Sequence, residues 1–169
     1  MSKLSEYYEQ IKDCKRCHLY SGRINLVFGE VNENADLMFV GEAPGYHEDQ
    51  QGRPFVGAAG KTLNELLAEI GLKREDVYIT NIIKSRPPNN RDPLPEEIEA
   101  CKPYLMEQIK IIKPKIIATL GAHATKTMLN KNVSISKVHG QSFKGNGFSI
   151  LQIFHPDAAL YRWLPLEFL

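Results

Sequence analysis

Three apolar runs, each ending abruptly in a polar residue or a turn, constrain this chain more than anything else in it. Leu37-Met38-Phe39-Val40 stops at Gly41-Glu42-Ala43-Pro44-Gly45. Val77-Tyr78-Ile79-Thr80 runs into Asn81, and Ile150-Leu151-Gln152-Ile153-Phe154 runs into His155-Pro156. Short apolar runs bounded by turn signals read as buried strands. Helical patterns lie between them. Lys61 to Ile70 carries Leu63, Leu66, Leu67 and Ile70 at helical spacing, and Gly71 stops it. Pro95 opens a second, longer helix with Glu96 and Glu97 in its first turn. Its apolar face is Ile98, Cys101, Leu105, Ile109 and Ile112, and Pro114 ends it. Lys115 to Leu120 reads as another buried strand, followed by Gly121 and a short helix near Ala122 to Leu129. A short helix from Leu4 to Asp13 leads in, and a polar, hairpin-like segment from Lys137 to Gly147 precedes the last strand. Strands alternating with helices predict an α/β fold with a mostly parallel sheet covered on both faces. Ligands bind outside the carboxyl ends of such strands. The ends that deliver Glu42, Asn81 and His155 therefore outline a site.

A length of 169 residues suits one domain, over residues 1–169, with a real core. A net charge of +1 excludes a global basic field, so any nucleic-acid contact must come from a local patch. No apolar run is long enough to span a bilayer, and Met1 to Glu6 lacks the apolar stretch of a secretory signal. The cytoplasm is the expected location. Cys14, Cys17 and Cys101 are an odd set, which argues against a disulfide framework. In a reducing compartment Cys14-Lys15-Arg16-Cys17 points instead to metal or redox chemistry.

Each candidate has a plain reading beside the functional one. Glu42 is a turn carboxylate or a ligand contact; Gly41, Pro44 and Gly45 favour the second because they allow close backbone approach. Phe55, between Gly52 and Gly57, anchors the following helix or stacks on a planar ring. Asn81 terminates a strand, or its amide reads the edge of a base with one donor and one acceptor. Lys84, Arg86 and Arg91, interleaved with Pro87, Pro88 and Pro93, form a solvated loop or a stiff cationic loop that grips phosphates; the second is expected. His155 has a stronger claim than His18, His47, His123 or His139 because it stands at a strand end. Cys101, on the apolar face of a helix, reads by itself as a small buried hydrophobe.

Together these segments resemble a family 4 uracil-DNA glycosylase, a group whose members include carriers of an iron–sulfur cluster. The resemblance runs from Cys14 to about Arg162. It is carried by Gly41-Glu42-Ala43-Pro44-Gly45, by Gly52-Arg53-Pro54-Phe55-Val56-Gly57-Ala58-Ala59-Gly60, and by Asn81 to Arg91. Leu120-Gly121-Ala122 and His155-Pro156 complete it. One such motif is weak; all of them in order are specific. The resemblance implies a three-layer α/β/α sandwich around a four-stranded parallel sheet. It implies that Glu42 positions the attacking water, Phe55 stacks on the flipped uracil, and Asn81 distinguishes uracil from cytosine. His155 would donate to uracil O2, Gly41 and Glu48 would shape the pocket, and Leu160 and Arg162 would enter the minor groove. The activity implied is hydrolysis of the N-glycosidic bond of deoxyuridine in DNA by a monomer, without strand cleavage. The chemistry itself needs no metal.

The chain departs from that family in three places. Cluster-bearing members use four cysteines; three match Cys14, Cys17 and Cys101, while Ser85 stands at the fourth ligand position. A 4Fe-4S cluster is thus expected only with an oxygen or external fourth ligand, as a labile three-iron form, or not stably. The chain also stops a short way past His155, where many relatives continue into another helix. Around His139 it lacks the longer basic insertion of a branch that attaches covalently to the abasic sugar. The competing functions are a glycosylase for another deaminated base, a non-catalytic DNA-binding module, and a redox module built on the cysteines.

Overall fold

A computed structural model describes residues 1–129, 142–144 and 147–153. His139, His155, Leu160 and Arg162 lie outside the described residues. The elements in chain order are α1 (Lys3–Ile11), β1 (Glu30–Val31), β2 (Leu37–Gly41), α2 (Tyr46–Gln51), α3 (Ala58–Glu69) and β3 (Tyr78–Asn81). Then come α4 (Pro95–Ile112), β4 (Ile116–Leu120), α5 (Ala122–Leu129), β5 (Ser142–Lys144) and β6 (Ser149–Ile153).

The strands form one sheet in the order β1-β3-β2-β4-β6-β5. The pairs β3-β2, β2-β4 and β4-β6 are parallel. Two short antiparallel strands, β1 and β5, extend this four-stranded parallel centre at its edges. The expected parallel sheet is therefore present but is wider than four strands.

Side-chain alternation along the strands creates the layers. Met38 and Val40 of β2 join Tyr78 and Ile117 in a cluster with α1, α4 and Ala124 of α5. Leu37 and Phe39 point the other way, to Leu63, Leu66 and Leu67 of α3. From β2 the chain passes to β3 on one side, then returns past β2 to β4 on the other. Open α/β sheets take their ligands at the carboxyl ends of their strands, near such a reversal.

Two helical details differ from the sequence expectation. The third helix begins at Ala58, a turn before Lys61, because Gly57 caps it and the first turn carries no large apolar residue to mark it. Helix α2 was not expected at all. Its sequence, Tyr46 to Gln51, has no apolar period, and it forms because Glu48 folds back to accept the Gly45 N–H.

Candidate active site

The site is assembled on one close register. Gly41 at the end of β2 is the partner of Asn81 at the end of β3. A Cβ built on Gly41 would lie 2.5 Å from Asn81 Oδ1 and 2.5 Å from the Phe55 ring. Gly41 thus makes room for two of the protein's own side chains, where close approach of a ligand to the backbone was expected. Phe55 and Asn81 are both buried, yet both line a cavity of about 280 Å³ with Glu42, Glu48 and Asp92. Phe55 is therefore at once a member of the α3 core cluster and a wall of the cavity.

Asn81 Oδ1 is buried and has no hydrogen-bond partner among the described residues. An orphaned acceptor of this kind costs about 1–3 kcal/mol. A ligand donor in the cavity would satisfy it. Glu48 is spent differently. Its Oε1 accepts from Gly45 N at 3.0 Å, and its Oε2 accepts from Val56 N at 2.9 Å and Gly57 N at 2.8 Å. It staples the Pro44-Gly45 turn to the Phe55 loop and so sets the width of the cavity.

Glu42 is half-buried, and burial raises its pKa above the ordinary glutamate range. His123 opposes that rise and Asp92 adds to it. The donor atoms of Glu42, Asp92 and His123 lie within 4.8 Å of one another, with His123 Nε2 3.6 Å from Asp92 Oδ2. No other trio of His, Cys, Asp or Glu among the described residues gathers this closely around one point. The Asp92 side chain is 80% exposed, and exposed acidic groups of this kind commonly gather without an ion. Sequence reasoning missed Asp92 and ranked His123 low. Applying the strand-end rule to β4, which delivers Gly121-Ala122-His123, would have found the histidine.

The cationic loop is not as expected. Lys84 is fully buried and cannot reach a phosphate. Its Nζ donates to Thr80 Oγ1 at 2.6 Å, the Asn81 carbonyl at 2.8 Å and Gln108 Oε1 at 2.6 Å. Burial lowers its pKa to about 7. Arg86 lies over the Tyr46 ring at 5.4 Å and donates to Asn90 Oδ1 at 2.8 Å. Arg91 forms a two-pronged pair with Glu97 at 2.9 and 2.8 Å. Both arginines keep part of their surface open.

The cysteines converge from two segments. Cys14 Sγ accepts from Tyr104 Oη at 2.9 Å, and Cys101 is buried on α4, where desolvation raises its thiol pKa. Ser85 is buried, and its Oγ accepts from Arg23 Nη1 at 3.1 Å. Three sulfurs and one hydroxyl do not make the four-thiolate set of a 4Fe-4S cluster.

The family model of the uracil DNA glycosylase superfamily matches residues 28–168. The chain belongs to that superfamily, in its type-4 branch. It is 48% identical over 170 residues to the type-4 uracil-DNA glycosylase of Archaeoglobus fulgidus, covering 96% of this chain and 85% of that protein. With the type-4 uracil-DNA glycosylase of Sulfurisphaera tokodaii it shares 51% over 171 residues, 96% of this chain and 78% of that one. The type-5 uracil-DNA glycosylase of Pyrobaculum aerophilum is more distant, at 30% over 174 residues, 92% of this chain and 76% of that protein.

Proposed function

We propose that this chain, acting as one domain and as a monomer, hydrolyses the N-glycosidic bond of deoxyuridine in DNA. It releases uracil and leaves an abasic site without cutting the strand. The observation that carries this reading is the Asn81 amide, whose buried oxygen has no hydrogen-bond partner among the described residues, on the lining of a cavity walled by an aromatic ring and a carboxylate. Uracil presents an N–H and a neighbouring carbonyl on one edge. An amide matches both, accepting from the first and donating to the second. Cytosine presents the opposite pattern at those atoms, so it would leave the Asn81 acceptor facing another acceptor.

The base must leave the stack first, and the Phe55 face replaces part of the lost stacking. As the bond breaks, positive charge gathers on the sugar and negative charge on the base. Ionised Glu42 orients water toward the sugar and stabilises its charge. His155 donates to uracil O2; a donor aimed at developing charge is worth about 3 kcal/mol. Arg86 and Arg91 hold phosphates, and Leu160 and Arg162 fill the gap left by the base. If Cys14, Cys17 and Cys101 hold a cluster, its fourth corner takes the Ser85 hydroxyl or an external ligand, and its role is to tie the N-terminal segment to the loop after β3. The described residues include no helix long and apolar enough to cross a membrane. The expected place is the cytoplasm.

The test is a labelled single-stranded oligonucleotide with one deoxyuridine, treated with alkali after reaction. Cutting only after alkali is the expected result. Cutting without alkali would overturn the absence of strand cleavage, and no cutting by folded protein would overturn the substrate.

A further inference from the structure

The ring that walls the cavity is carried on a strained backbone. Phe55 has φ +50°, the left-handed region that a bulky residue seldom occupies. Such a conformation persists only where the surroundings over-determine it. On the cavity side, Glu48 holds the two peptide N–H groups that follow Phe55. On the far side, the Arg74 guanidinium holds the two carbonyls before them. Its Nη1 donates to the Phe55 carbonyl at 3.0 Å, and its Nη2 donates to the Pro54 carbonyl.

Arg74 is itself aimed by two side chains. Its Nε donates to Glu30 Oε2 at 3.0 Å, and its Nη1 also reaches Asn64 Oδ1 of α3 at 3.1 Å. Its side chain is 15% exposed, and its bonds to Glu30 and to the Pro54 and Phe55 carbonyls are partly buried, whereas the one to Asn64 is exposed. Glu30 is braced in turn by Arg53, at 2.7 and 2.9 Å. Gly60 supplies the remaining condition. A Cβ there would overlap the Phe55 carbonyl, so this carbonyl rests directly on α3.

We propose that Arg74 is a positioning residue for base binding: its guanidinium, aimed by Glu30, fixes the Pro54 and Phe55 carbonyls so that the Phe55 ring stands against Gly41 and Asn81 before the base arrives. The proposal rests on the reading of Phe55 as the ring that stacks on the flipped base. A planar fork of five donors serves two carbonyls, an amide and a carboxylate at once; the point charge of a lysine does not. Glycine adopts positive φ freely, so a chain with glycine at position 55 has no strain for Arg74 to oppose.

The test measures excision kinetics on a single-stranded deoxyuridine oligonucleotide, inhibition by free uracil, and thermal melting. It uses Arg74→Gln, Arg74→Lys, Phe55→Ala, Phe55→Gly and the double variant Phe55→Gly/Arg74→Gln. In the parent chain, Arg74→Gln is expected to lower kcat and weaken uracil inhibition by about tenfold or more, the scale of a displaced binding group. KM for the oligonucleotide, governed by phosphate contacts, should change little. In the Phe55→Gly background the same substitution should cost nothing further, because the two residues act as a unit. If Arg74→Gln does not fold, the same comparison is read with Arg74→Lys. Equal losses in both backgrounds, or lower melting with unchanged uracil inhibition, would show a purely structural ion pair and overturn the proposal. If Phe55→Ala lowers excision while Arg74→Gln does not, the positioning role alone falls. If Phe55→Ala leaves excision unchanged, the reading of the site falls and the proposal with it.

Discussion

Gly41 and Asn81 face each other across β2 and β3 so closely that a Cβ on the glycine would stand 2.5 Å from the amide oxygen. Gly41→Ala should therefore push Asn81 and Phe55 out of place together. We expect about a hundredfold loss of excision, the scale of a small misplacement at a reacting site. The cost in stability should be about 1–3 kcal/mol from overpacking. Steady-state kinetics beside thermal melting check this; unchanged kcat would mean that the two side chains can move without consequence.

Asn81→Leu should separate stability from activity. It removes a buried acceptor that no described residue satisfies, for a gain of about 1 kcal/mol. In a chain of this size that corresponds to a melting temperature higher by about 2–4 °C. Excision should be lost. A lower melting temperature would show that the amide oxygen has a partner in the free protein.

The pH profile of excision should follow Glu42. The proposed chemistry needs the ionised carboxylate, and burial makes ionisation harder. Activity should therefore fall on the acid side at a pH above the ordinary glutamate range. Asp92→Asn removes a repulsive neighbour, so the acid limb should move to lower pH. His123→Gln removes an attractive one, so the limb should move to higher pH. Shifts in the same direction, or none, would remove these two residues from the environment of Glu42.

Salt dependence should distinguish the cations of the loop after β3. Arg86→Gln should lower the slope of log affinity against log salt by about 0.7–0.9, as expected for one lost phosphate contact. Lys84→Met should leave the slope unchanged, because the ammonium is buried. It should instead lower the melting temperature, since Thr80, Asn81 and Gln108 lose their shared donor. A flatter slope for Lys84→Met would contradict its burial.

Ser85→Cys should raise the iron and acid-labile sulfide that copurify anaerobically, by supplying the fourth thiolate beside Cys14, Cys17 and Cys101. Iron per chain and the visible absorbance of the purified protein check this. Equal iron in both forms would mean that the hydroxyl position does not limit cluster assembly.

The misreadings share a cause. Lys84 resembles Arg86 as a basic residue in a proline-rich loop, but its acceptor Gln108 is 24 residues away on α4. Asp92 and His123 are 31 positions apart in the sequence and meet only because β4 lies beside β2. Arg74 gives no local sign that it holds Phe55, 19 residues earlier. Glu42 and Asn81, by contrast, were legible because each ends its own apolar run.

The sequence by itself determined what depends on near neighbours: the apolar runs that become β2, β3, β4 and β6, the periods of α3 and α4, and the strand ends that carry Glu42 and Asn81. These follow from periodicity and turn chemistry, which act over a few residues. Tertiary structure alone decided which side chains share a surface. It set Phe55 and Asn81 on Gly41, sealed Lys84 under α4, and placed Arg74 behind the Phe55 loop. The physical reason is that burial and hydrogen-bond partnership are fixed by the crossovers between parallel strands, and spacing along the chain carries no record of what those crossovers bring together.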